Sequence, residues 1–229
     1  MAIIKAKALQ GNAVGRMSEG GDQYLRATRD GALFTTDWKA AGVMEGRGFM
    51  MKLGALSTPI TGGGAGGTVI DIDCPEVCIG VPSGTSILPM LIDVATKPVP
   101  GAADDDEIDI LVAVDQDKMN ASSAGTSTAA TIYNMNTLSA RASTCYANTA
   151  YSATYTDPVL DLELAHVQKI FEMHSSTGVI WLDAHMHYEP QAPLIINGPA
   201  MLLLYFGGTK AVYGFATISW LEYPTAYFA

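Results

Sequence analysis

Two histidines, His185 and His187, are spaced to act together. They lie in the run Val179–Tyr188, VIWLDAHMHY, whose alternation of faces reads as a half-buried β-strand. On such a strand both rings project from one face, with Asp183 before them and Glu189 after them. Imidazoles in that arrangement can share a metal ion, and flanking carboxylates enlarge the donor set. Asp183, His185, His187 and Glu189 are therefore the metal-ligand candidates. A metal centre also needs a ligand from elsewhere in the chain, and no remote partner stands out in the sequence. The plainer alternative is a polar outer or inter-subunit face, and no metal or other cofactor is expected.

Other groups are less suited to chemistry. Asp104-Asp105-Asp106-Glu107 with Asp109 has the oxygen ligands calcium takes, but lacks the Asp-x-Asp-x-Asp-Gly order of an EF loop. A solvated acidic loop is the commoner form. Cys74 and Cys78 are separated by three residues and Cys145 is remote, which fits small buried hydrophobes better than zinc. His166 and His174 are isolated. The glycine-rich Thr61–Thr68, TGGGAGGT, lacks the Lys and Ser/Thr that follow in a phosphate-binding loop, so it reads as a connector. A Gly-x-Ser-x-Gly elbow is missing, and the Asn120-Ala121-Ser122 sequon has no export signal to give it meaning. No catalytic residue is assigned, and the chain is expected not to be an enzyme.

Composition narrows the classes. Of 229 residues, 48% are hydrophobic and 16% charged, enough for a sizeable core with a surface completed by small polar residues. Low charge makes surface cheaper to desolvate against a neighbour. With a formal charge of −10 and 13 Lys+Arg, direct nucleic-acid binding and anionic membrane surfaces are disfavoured. No apolar run approaches the ~20 residues of a spanning helix. The N-terminal MAIIKAKALQGNAVG has too short an apolar piece for a secretory signal.

The elements needed to position any site are strands. Residues 1–60 read as an N-terminal arm with a short helix capped by Thr36-Asp37 near Trp38 and a strand over Phe49–Leu53. Residues 61–229 read as the body. Its expected strands cover Thr68–Asp73, Glu76–Val81, Ser86–Ala95, Glu107–Asp115, Ala129–Tyr133, Leu138–Ala147, Met201–Phe206 and Val212–Glu222. Pro89 predicts an edge or a bulge. Val167–His174 is expected to form a hairpin with Val179–Tyr188, after a helical turn near Asp157-Pro158. About ten short strands separated by Gly/Pro turns, with no βαβ alternation, indicate an all-β, jelly-roll-like antiparallel β-sandwich with an extended N-terminal arm.

Two resemblances bear on function. The His-x-His spacing is similar to that of cupin-type metal enzymes, without their glycine-rich motif or later histidine. The segments DGALFTTDWKAAGVMEGRGFM, CIGVPSGTSILPMLIDV and GFATISWLEYP resemble small jelly-roll structural proteins of bacterial viruses. That likeness covers the arm, a middle strand pair and the final strand, and brings no catalytic residues. It implies a virion component assembled in the host cytoplasm: a self-assembling capsid coat or decoration subunit. Identical subunits are the first partners and other virion proteins the second. The arm, with Phe34, Trp38, Phe49 and Met50, is expected to rest on neighbouring copies. The alternatives are a carbohydrate- or receptor-binding β-sandwich and a cupin-like metal-dependent enzyme using His185 and His187.

Overall fold

The computed structural model describes residues 6–7, 25–26, 37–55, 58–62, 70–98, 106–116, 128–149, 159–171, 184–208 and 212–228. Two short strands, β1 (Ala6–Lys7) and β2 (Leu25–Arg26), pair in parallel. Helix α1 (Trp38–Met44) follows, with the Asp37 carboxylate accepting the Ala40 N–H at 2.7 Å. Gly46, at φ 70, adopts the left-handed conformation just past it. Then come β3 (Gly48–Leu53), β4 (Ile60–Gly62), β5 (Val77–Val81), β6 (Thr85–Pro98), β7 (Asp106–Asp115), β8 (Thr128–Ala129), β9 (Tyr133–Asn134) and β10 (Tyr146–Thr149). The chain continues through β11 (Leu162–Phe171), β12 (Ala184–Tyr188), β13 (Ile196–Asn197), β14 (Ala200–Gly208) and β15 (Val212–Pro224). A single 3-10 turn, Thr225–Tyr227, follows.

The other described strands form two antiparallel sheets packed as a sandwich. One runs β11-β7-β14-β5-β10-β8 and the other β12-β6-β15-β3-β9, with β13 on β6 and β4 on β15. Eight strands carry the topology, in the orders β3-β15-β6-β12 and β5-β14-β7-β11. Every connection among them except β7 to β11 crosses between the sheets. That is the double Greek-key order of a jelly roll.

The core lies between the sheets, where Phe49, Met51, Ile79, Ile92, Ile110, Phe206, Ile218 and Trp220 are buried. Strand β14, AMLLLYFGG, is buried along its whole length because its outer face is also covered. Ile70 and Leu160 pack over Leu111, Leu203 and Tyr205 there. The Tyr205 hydroxyl donates to the Ile72 carbonyl at 2.9 Å. Pro89 sits at a register shift, with Ser219 opposite Leu91 and Trp220 opposite Pro89. A residue without an N–H fits where the ladder is broken.

The chain between β7 and β11 accounts for β8, β9 and β10. It adds β10 and β8 to the exposed side of β5, and β9 to that of β3. An unpaired strand edge is a template for unwanted pairing, and this insertion covers both strands on one flank.

Several expectations change. Thr68–Asp73 is not a strand within its described part: residues 70–76 form a turn-containing strap. Leu138–Ala147 is turn and irregular until Tyr146. The helical turn expected near Asp157-Pro158 lies outside the described residues, and β11 begins at Leu162. Among the described residues, the two strands expected to form the hairpin of the last third do not pair. Strand β11 pairs with β7 in one sheet, and β12 with β6 in the other. Alternation gives a strand's two faces but not its partner. Strand β3 lies between β15 and β9 and β4 pairs with β15, and Phe49 is buried in the core between the sheets.

Candidate functional site

Strand β12 alternates as its sequence requires. Ala184 and Met186 enter the core, and His185 and His187 face outward. On neighbouring β6, Asp93 lies directly across from His187 and Ala95 across from His185. Directly opposed residues on adjacent strands have Cβ atoms about 5 Å apart, within side-chain reach. The carboxylate lies between the two rings: Asp93 Oδ1 is 2.7 Å from His185 Nε2 and 3.3 Å from His187 Nδ1. The other nitrogen of His187, Nε2, lies 3.6 Å from Glu189 Oε2. Glu189 Oε1 accepts from Lys39 Nζ of α1 at 2.9 Å. That ammonium holds the Glu189 carboxyl below its usual range. The cluster thus joins helix α1, β6 and β12 on the outside of the sandwich, with the side chains of His185, His187 and Asp93 each about half exposed.

Of the four sequence candidates, His185, His187 and Glu189 come together and Asp183 lies outside the described residues. Asp93 was missed, being 92 residues from His185. Only the strand register could have revealed it. Among the described residues, no group of three or more His, Cys, Asp or Glu side chains is set to hold a metal ion as it stands.

The acidic run divides. Asp104 and Asp105 lie outside the described residues, whereas Asp106 and Glu107 begin β7. Glu107 accepts from the Gln168 amide on β11. Asp109 turns into a nearly buried position, where its Oδ1 has no hydrogen-bond partner among the described residues and faces His166 Nε2 at 3.6 Å. Burial is the main reason its pKa is raised, followed by Glu107. The other ring nitrogen of His166 lies 3.4 Å from Glu163. His174 lies outside the described residues. The three cysteines are buried, with Cys78 Sγ 3.5 Å from Met201 Sδ.

Of the assigned arm residues, Phe34 lies outside the described residues. Trp38 is partly exposed on α1, Phe49 is buried in the core and Met50 is half-buried beside Tyr133. A cleft of about 580 Å³ opens beside the insertion, lined by Phe49, Ile132, Asn134, Arg141, Cys145 and Asn148 among others. The C-terminal rings of Tyr223, Tyr227 and Phe228 pack on one another, and Arg47 lies 4.9 Å over Tyr223.

The turn after β9 is the other feature that alternation did not reveal. The Asn134 amide donates to the carbonyls of Gly46 and Arg141, both at 2.9 Å. Its oxygen accepts the Asn136 N–H at 2.8 Å. Asn136 in turn donates to the Met44 carbonyl at 3.2 Å and accepts the Leu138 N–H at 3.2 Å. This bracing holds Leu138 in solvent, 96% exposed, with Tyr133, Met135 and Met44 also exposed nearby along the chain or across these bonds. Among the described residues, no helix is long and apolar enough to cross a membrane.

No known protein family, curated protein or solved structure matches the chain.

Proposed function

We propose that the protein is a structural subunit of a virus particle, a coat or decoration protein that assembles with copies of itself and carries no catalytic site. The jelly-roll strand order frames this reading, since shells are among the uses of that fold. The observation that carries it is the braced turn that exposes Leu138 and Met135, follows exposed Tyr133 and is tied through Asn136 to the carbonyl of exposed Met44. A flexible loop loses entropy when it docks, whereas this turn is already held in place by side-chain hydrogen bonds. Large apolar side chains grouped on such a turn suit burial against another subunit. Identical subunits give closed or lattice-forming contacts through repeated patches.

Sedimentation velocity over a concentration series tests the proposal. The wild-type chain is expected to form discrete oligomers or shells, and Leu138→Ser with Met135→Ser to shift the distribution toward monomer with an unchanged circular dichroism spectrum. A chain that stays monomeric at the highest concentrations removes the assembly reading. Oligomers unaffected by the double variant remove this turn as its basis.

A further inference from the structure

We infer that Asp93, His185 and His187 form a surface site for a divalent metal of the zinc class, whether or not the chain assembles. Two imidazoles come from one strand at i and i+2, and the carboxylate from the strand beside it. A nitrogen of each ring already faces the carboxylate, with Asp93 Oδ1 2.7 Å from His185 Nε2 and 3.3 Å from His187 Nδ1. Ligands at about 2.0–2.1 Å around a tetrahedral zinc are separated from each other by about 3.3 Å. The His187 spacing matches that edge, and the His185 spacing is a hydrogen bond that must open by roughly 0.6 Å to admit the ion. The collapsed arrangement is therefore a hydrogen-bonded form of the same donor set. Both rings are on an exposed face and free to make that adjustment.

The surroundings are suited to such a site. A metal-bound imidazole commonly presents its other nitrogen to a carboxylate, which orients the ring and raises its basicity. His187 would bind through Nδ1, and its Nε2 already faces Glu189 at 3.6 Å. Lys39 fixes that carboxylate from the other side at 2.9 Å. A neutral imidazole binds the ion through the nitrogen that carries no proton and keeps its proton on the other. Two nitrogens and one carboxylate favour zinc, copper or nickel over calcium or magnesium, which prefer oxygen shells. Water completes the coordination on the solvent side.

Calorimetric titration of the tag-free full chain with zinc chloride tests the site. One zinc per chain is expected, with no competition from calcium or magnesium. His187→Ala and Asp93→Asn should each weaken zinc at least tenfold, Glu189→Gln should weaken it several-fold, and His166→Ala should leave it unchanged. Wild-type histidine-ring NMR supplies the check that does not depend on any variant folding: zinc should move the His185 and His187 resonances and not those of His166. Zinc binding weaker than about 100 µM, undiminished affinity in both His187→Ala and Asp93→Asn, or ring shifts confined to other histidines would overturn the inference.

Discussion

The indole N–H of Trp220 donates to the carboxylate of Glu222, two residues along the same strand, at 3.0 Å. Both residues are at most 1% exposed. The same carboxylate accepts the Ser143 hydroxyl, and its second oxygen accepts the Thr144 N–H at 3.0 Å and the Thr144 hydroxyl at 3.1 Å. Glu222 thereby ties the segment leading into β10 to β15. A buried carboxylate is tolerated when donors surround it, and here one side chain joins the flank-covering insertion to the core.

Glu222→Ala should therefore destabilise the protein by about 2 kcal/mol, because it leaves the buried Trp220 indole N–H without its acceptor and takes the same acceptor from Ser143 and Thr144. Glu222→Gln keeps one acceptor oxygen and should cost roughly half as much. Urea unfolding with an unchanged slope would report both values. An alanine variant within about 0.5 kcal/mol of wild type would mean that the network contributes little to stability.

Gly214→Ala should cost about 2–3 kcal/mol by overpacking. A Cβ there would lie 2.5 Å from Phe206 Cε2, and the ring it meets is fully buried. Gly84 makes the contrast: at φ 82, with nothing within 4 Å of an added Cβ, Gly84→Ala should cost only about 1 kcal/mol of backbone strain. Thermal melts of the two variants give the comparison, and an equal loss in both would remove the packing explanation.

How far the sequence could be read follows from the kind of signal each feature leaves. Strands β7, β14 and β15 were legible because their side chains alternate or are apolar throughout over nine or more residues. Strands β8, β9 and β10 are two to four residues long and exist through pairing, β10 on β5, β8 on β10 and β9 on β3, so their own residues say little. The pairing of β12 with β6 was invisible for the same reason, and Asp93 with it. Glu222 did leave a trace. It shares parity with Ile218 and Trp220, which face the core, and a carboxylate at an inward position of an apolar strand marks a buried polar network.

Native protein should show almost no thiol reactivity. Burial raises the Cys145 thiol pKa first, and the neighbouring Glu222 charge raises it further, so the reactive thiolate scarcely forms at neutral pH. Cys74 and Cys78 are likewise buried. Ellman's reagent should label none of the three within minutes in buffer and all three in guanidinium. Rapid labelling of Cys145 in the folded chain would contradict its packing.

Asp109 gives the pH dependence. Burial, then Glu107, raises its pKa above the ordinary 3.8, and among the described residues its Oδ1 has no hydrogen-bond partner. An acid with a raised folded pKa binds its proton more tightly when folded, so stability falls as pH rises from 3.8 through the folded value. Above that value the penalty is fully developed, and well below 3.8 it is absent. Asp109→Asn cannot carry the charge. It should raise the melting temperature at pH 7, with the gain shrinking as the pH falls through that window. His166, at 3.6 Å, offers the carboxylate some compensation, which the asparagine gives up. Burial outranks that attraction among the causes of the shift, so the net effect at neutral pH should be stabilising. A variant less stable than wild type at pH 7, with a difference that does not change toward acid pH, would show that the ionised Asp109–His166 contact outweighs the cost of burying the charge.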